Sequence, residues 1–196
     1  MFKEIADIKT ADQLNLPTPD AEYHTVVCRP TEHQKLMVKD LSKRAERVHS
    51  GAVDTHIDNM LRITGDGRKL GLDQRVINPA LPDEPGTKVN RCVANVRRQW
   101  REGKGEADKL TQLIFCDLST PTATKGGFSI YEDIRRKLIA GGMRKDQVAF
   151  IHEANTDEQK KTLFAKVRSG QVRVLIGFHP EMRSRRQRPR QAHRLA

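Results

Sequence analysis

The sequence predicts an α/β domain with three parallel strands and flanking helices, preceded by a helical segment. Three observations carry that expectation. Short apolar runs at 110–117, 148–151 and 172–177 alternate with longer stretches whose apolar residues recur at helical spacing, the pattern of a βαβαβ unit. A proline-rich stretch, PALPDEPG at 79–86, separates that unit from what precedes it. Glycines stand where each helical pattern stops, at Gly51, Gly103, Gly141 and Gly170.

Taken in chain order, residues 1–22 read as an irregular lead-in, because Pro17 and Pro19 break any helix begun at Phe2. Residues 23–28, apolar through Val26 and Val27, read as a short strand. Thr31 is placed to cap the next helix, with Gln34 three residues on as in a capping box. Its apolar positions are Leu36, Met37, Leu41, Ala45 and Val48. Residues 58–78 hold Met60, Leu61, Leu70, Leu72, Val76 and Ile77 but are interrupted by Gly65, Gly67 and Gly71, which predicts two short helices joined by a turn.

From Lys88 the pattern is regular: Val89, Cys92, Val93, Val96 and Trp100 share one helix face, which ends at 103–105. LTQLIFCD at 110–117 reads as a buried strand. A polar loop through Pro121 and Gly126 leads into a helix carrying Ile130, Ile134 and Leu138. After the strand at 148–151, Thr156 or Asp157 starts a helix with Leu163, Phe164 and Val167 on its core face, and VRVLIG at 172–177 follows as the third strand. The organisation expected is therefore a helical segment and linker at 1–86, the α/β unit at 87–177 and a basic tail at 178–196.

With 196 residues and 36% hydrophobic side chains, the chain supports one modest core and excludes a large multidomain enzyme. Its formal charge of +11 favours a polyanionic partner such as nucleic acid. Much of that excess sits in the tail, where Arg183, Arg185, Arg186, Arg188, Arg190 and Arg194 face the single acid Glu181. The three cysteines, Cys28, Cys92 and Cys116, form no CxxC pair, so they signal neither a zinc site nor a disulfide framework. That usage and the charged N-terminus predict a cytoplasmic protein with no membrane partner.

In parallel sheets ligands lie at the carboxyl ends of strands, here Asp117 to Ser119, His152 and Gly177. Ser119 and Thr120 offer hydroxyls for phosphate oxygens, or equally for capping the following loop. Arg135 and Arg136, followed by Lys137, lie opposite Ile134 and Leu138; they read as a solvated face or as a track for a nucleic-acid backbone. His152 reads as a structural residue and Cys116 as a small buried hydrophobe. GDGRKLG at 65–71 has the wrong spacing for a phosphate loop and reads as a turn, and Asp83 and Glu84 read as solvated loop acids. No GxxxxGK[ST] is present, and the seven histidines include no HExxH, so neither a P-loop nor catalytic zinc is signalled.

The segments HTVVCRPTEHQKLMVKDLSKRAERVHSG, NMLRITGDGRKLGLDQRVINP, KLTQLIFCDLSTP and VAFIHEANTDEQKKTLFAKVRSGQVRVLIG, taken together in this order, resemble the second half of the motor of Swi/Snf-like superfamily-two helicases. The likeness is nearest to the very large helicase proteins of bacterial plasmids and conjugative elements. It implies a partial RecA-like lobe, with the early helix and LDQRVINP bridging two lobes and IFCDLSTP as the motif IV strand and loop. It implies that Ser119 and Thr120 approach DNA, and that Gly177 leads into motif V near the nucleotide. The expected partners are DNA and the missing first RecA-like lobe.

The departures from that pattern are as informative. Walker A, Walker B and the arginine-bearing motif VI are not in the chain, so ATP and Mg2+ belong to the parent motor and this chain alone is not expected to hydrolyse ATP. After Gly177 the chain reads FHPEMRSRRQRPRQAHRLA. An allowed choice of codons for that tail, shifted by one base, reads as a glycine-bearing continuation of motif V, which makes a frameshifted tail the expectation. The alternative expectation is a non-enzymatic basic module that binds nucleic acid, or a decayed gene product.

Overall fold

The computed structural model describes residues 21–103, 109–121 and 127–177. The lead-in at 1–20, the loop position Gly126 and the tail at 178–196 lie outside the described residues. The architecture is mixed α/β. Helices α1 (Glu32–His49), α2 (Met60–Leu72) and α3 (Lys88–Glu102) come first; then follow β1 (Gln112–Phe115), α4 (Ile130–Ala140), β2 (Val148–Phe150), α5 (Asp157–Arg168) and β3 (Val174–Gly177).

The strands form a parallel sheet in the order β1-β3-β2, with Ile114 opposite Ile176 and Phe150 opposite Ile176 from the other side. The last strand in sequence is thus the central one, and all four of its residues are buried. Burial on both faces explains its unbroken apolar run.

One face of the sheet is closed by α3 and α4. Val89, Val93, Val96 and Trp100 from α3 meet Ile130, Tyr131, Ile134 and Leu138 from α4 over Ile114, Val148, Phe150, Val174 and Ile176. Tyr131 sets its ring edge-on to Phe150, with centroids 5.4 Å apart. The helical starts obey local chemistry. Thr31 and Thr156 each form the full capping box with Gln34 and Gln159, and Asn59 and Thr87 accept from the third residue of their helices.

Several expectations are corrected. Residues 23–28 form no strand: Tyr23 is 91% and Val27 82% exposed, and among the described residues no edge pairs with them. Apolar alternation cannot make a strand without a partner to take its backbone groups. Residues 60–72 form one helix instead of two, running through all three glycines. Each glycine costs about 1 kcal/mol in a helix, and packing against α1 offsets it. A side chain at Gly67 would already touch Leu41 Cδ1 at 3.8 Å, the Gln34 amide donates to the Leu70 carbonyl at 2.8 Å, and Arg44 bridges Asp58 and Asp66 at 2.7 and 3.0 Å.

The strand expected at 110–117 is shorter and is not buried. Only Ile114 is buried in β1, while Leu113 and Phe115 are about half exposed, because β1 pairs on one side only among the described residues. β2 stops at Phe150, where a turn of 3-10 helix, Ile151–Glu153, takes over. The core face of α5 is half-buried, with no fully buried residue.

Candidate functional site

The carboxyl ends of β1, β2 and β3 lie along one edge of the sheet, as parallel register requires. After β1 the chain turns sharply at Ser119, whose φ of 57° places a non-glycine residue in the left-handed region. The Ser119 hydroxyl accepts from the Ile130 N–H at 3.1 Å and donates to the Phe128 carbonyl at 3.4 Å. Ser129, the N-cap residue of α4, makes no side-chain cap of its own. Ser119 therefore satisfies an orphan amide at the start of α4, the capping alternative of the two sequence readings. Thr120 is half-buried beside it.

The same edge is closed by further contacts. The Tyr131 hydroxyl donates to the Cys116 carbonyl, and the His152 ring stands edge-on to Tyr131 at 5.3 Å. Arg68 of α2 reaches Asp117 at 3.6 Å, which ties the helical segment to the end of β1. Gly177 accepts the Cys116 N–H at 2.9 Å and is buried. Burial pushes the Cys92 and Cys116 thiols up, so neither is poised as a thiolate.

Of the two arginines singled out on α4, Arg136 is solvated and Arg135 is not. The Arg135 guanidinium lies over the Phe150 ring at 3.4 Å, pairs with Glu153 and lies 3.7 Å from Glu132, and its side chain is only 13% exposed. The Glu153 carboxylate also accepts the Phe150 N–H at 3.0 Å. Arg136 is exposed but pairs with Asp133. Lys137 lies 2.7 Å from both Asp83 and Asp133 and donates to Asn90 at 2.6 Å.

Sequence reasoning missed the cluster that these contacts join. Arg75, 5% exposed, makes two parallel bonds to Asp73, at 2.9 and 2.8 Å, and reaches Asp133 at 2.9 Å and Asp83 at 3.1 Å. Its guanidinium also lies 4.5 Å from the centre of the Phe128 ring. Gln74, fully buried, donates to the Pro82 carbonyl at 2.9 Å and accepts from Thr31 at 2.6 Å. Asp83, expected to be a solvated loop acid, is exposed as expected but is paired with Arg75 and Lys137 at the edge of this network.

Three carboxylates and three cations thus meet where the helical segment joins the α/β unit. Burial alone would raise the Asp133 carboxyl, but hydrogen bonds from Lys137, Arg75 and Arg136 outweigh it and hold it below the usual carboxylate range. Asp83 is lowered in the same way, with Lys137 and Asn90 overcoming desolvation. The charges satisfy one another in a bidentate geometry, so the cluster is built as a clamp. A hint lay in the string LDQRVINP, where an acid, an amide and a base sit within an otherwise apolar run.

Among the described residues no group of three or more His, Cys, Asp or Glu is placed to hold a metal ion, and no helix is long and apolar enough to cross a membrane. No protein-family model, no curated protein and no solved structure matches the chain.

Proposed function

We propose that the chain is the second-lobe portion of an ATP-dependent DNA translocase, a fragment of a helicase motor that does not hydrolyse ATP alone. One observation carries the reading. The LDQRVINP stretch, which the sequence resemblance makes a bridge between lobes, is the segment whose Gln74 bonds both Thr31 at the start of α1 and Pro82 of the linker and whose Arg75 reaches Asp133 of α4. A bridge between moving lobes must be rigid at the lobe it belongs to; the bidentate bond to Asp73 orients the Arg75 guanidinium, and its buried bond to Asp133 fixes the segment to α4. The hairpin also leaves Leu36, Val38, Met60 and Leu61 more than half exposed, which suits a segment that completes its packing against another lobe.

The nucleotide belongs to the parent motor. Gly177, the residue expected to lead toward the nucleotide, is buried, and its carbonyl accepts the Cys116 N–H. The test reads the coding DNA on both sides of this frame, then mixes the full chain with any neighbouring polypeptide that carries a Walker lysine and follows ATP hydrolysis with duplex DNA. Hydrolysis that rises only in the mixture supports the motor reading. Neighbouring DNA without Walker motifs in any frame, or a mixture no faster than the neighbour alone, overturns it.

A further inference from the structure

We infer that the solvent face of α3 is a nucleic-acid backbone-binding ridge, separate from the carboxyl edge of the sheet. The helix KVNRCVANVRRQWRE holds five cations and one carboxylate. Its apolar positions Val89, Val93, Val96 and Trp100 are all buried in the core. At about 100° per residue, Arg91 and Arg98 project opposite that face with Lys88 and Arg101 on its two flanks, and all four are exposed. The core contacts therefore fix which way the ridge points.

Unlike the basic run of α4, these cations have few internal partners among the described residues. Among the described residues, Lys88, Arg91 and Arg101 have no carboxylate within ion-pair distance, and Arg98 has only the exposed i, i+4 contact to Glu102 at 3.3 Å. Such an exposed pair is worth little and exchanges readily with a phosphate. Arg97, on the flank, leaves its buried Nε without a hydrogen bond. No other described helix carries so large an excess of base: α3 holds five cations to one acid, against five to three on α1 and four to two on α5, and α4 spends its basic run on Glu153, Asp83 and Asp133.

The spacing fits a phosphate backbone. Arg91 to Arg101 spans roughly 15 Å at about 1.5 Å per residue, the axial length of about four phosphates along one strand of duplex DNA. Guanidinium groups suit phosphate oxygens by their planar fork. An anionic membrane is the poorer fit, because a helix that lies in a lipid interface inserts an apolar face, and that of α3 is buried in the core. The inference does not depend on the motor reading, since it needs neither ATP nor a second lobe.

The test uses the full chain and a fluorescent DNA duplex, with affinity read by anisotropy as salt is raised. The variant Arg91→Gln/Arg98→Gln/Arg101→Gln is expected to lower the slope of log affinity against log salt by about 2.7. Between about 50 and 200 mM salt the parent chain would then lose roughly 40-fold more affinity than the variant. The Lys triple variant at the same positions, which keeps the charge, is expected to retain most of the slope, and unchanged circular dichroism checks that both fold. A control replaces Arg183, Arg185 and Arg186 of the tail with Gln. If the α3 variant binds like the parent and only the tail variant weakens, the ridge is not the site. If the α3 variant loses binding to phosphatidylserine vesicles while its DNA slope is unchanged, the partner is a membrane and the inference fails.

Discussion

α3 and α4 both carry dense basic runs, yet the fold uses them in opposite ways. On α4, Arg135 is stacked on Phe150 and paired with Glu153, while Arg136 and Lys137 are held by Asp133 and Asp83. On α3, Arg91, Arg98 and Arg101 face solvent, and among the described residues their one ion pair is the weak Arg98–Glu102 contact. A run of arginines in a sequence is therefore ambiguous until its neighbours in space are known. What separates the two helices is which residues meet the carboxylates: on α4 the cations themselves pair with Asp133, Asp83 and Glu153, whereas on α3 Asp83 is met by the neutral Asn90 and the helix's own acid is Glu102.

The contrast breaks most sharply at Asp133. Asp133→Ala leaves Arg75 buried without one of its partners and frees Arg136 and Lys137, and it should cost about 3–5 kcal/mol in urea unfolding, the range for breaking a buried ion pair. A loss under about 1 kcal/mol would show that the cluster is an exposed set of charges in solution. The same network makes a pH prediction. Because the Asp133 and Asp83 carboxyls are held below their ordinary values in the folded state, their stabilisation is present above about pH 4 and is lost as pH falls through their lower folded values. Unfolding midpoints measured downward from pH 6 should stay level and then drop below about pH 4, with the drop reduced in Asp133→Asn.

Arg135→Gln tests the role of a single α4 arginine. Loss of its contact with Phe150 should destabilise by about 1–2 kcal/mol and leave the salt slope for DNA binding unchanged. A reduced slope with unchanged stability would return Arg135 to the nucleic-acid role that its sequence suggested. Ser119→Ala removes the hydroxyl that caps α4 from the β1 loop and should cost about 1 kcal/mol. Wild-type stability combined with weakened DNA binding would instead favour the phosphate-contact role of Ser119. The smallest expected effect is on α3, where the triple Gln variant should change stability by less than about 0.5 kcal/mol while altering DNA binding.

Much of the fold was legible locally. Thr31 and Thr156 announce helix starts because a hydroxyl three residues before a free amide is chemistry within one turn, and the alternation of apolar runs with helical periods reports the parallel βαβαβ order. The failures share a cause. Among the described residues, the segment 23–28 lacks a partner strand, α2 tolerates three glycines because α1 lies against it, and β1 is half exposed because it pairs on one side only. In each case the deciding interaction comes from far along the chain.

The candidate site shows the same division. Ser119 and Thr120 were placed correctly after β1, but the bond from Ser119 to Ile130 depends on how the loop returns to α4. The buried cluster joins Asp73 and Arg75 to Asp83 and Asp133, residues separated by up to 60 positions. By itself, the sequence determined the elements, their order, the parallel sheet they imply and the excess of positive charge, because these follow from side-chain periodicity and local capping. Only the tertiary structure decided which charges are consumed inside the fold and which face solvent, because an ion pair is set by distance in space and not by separation along the chain.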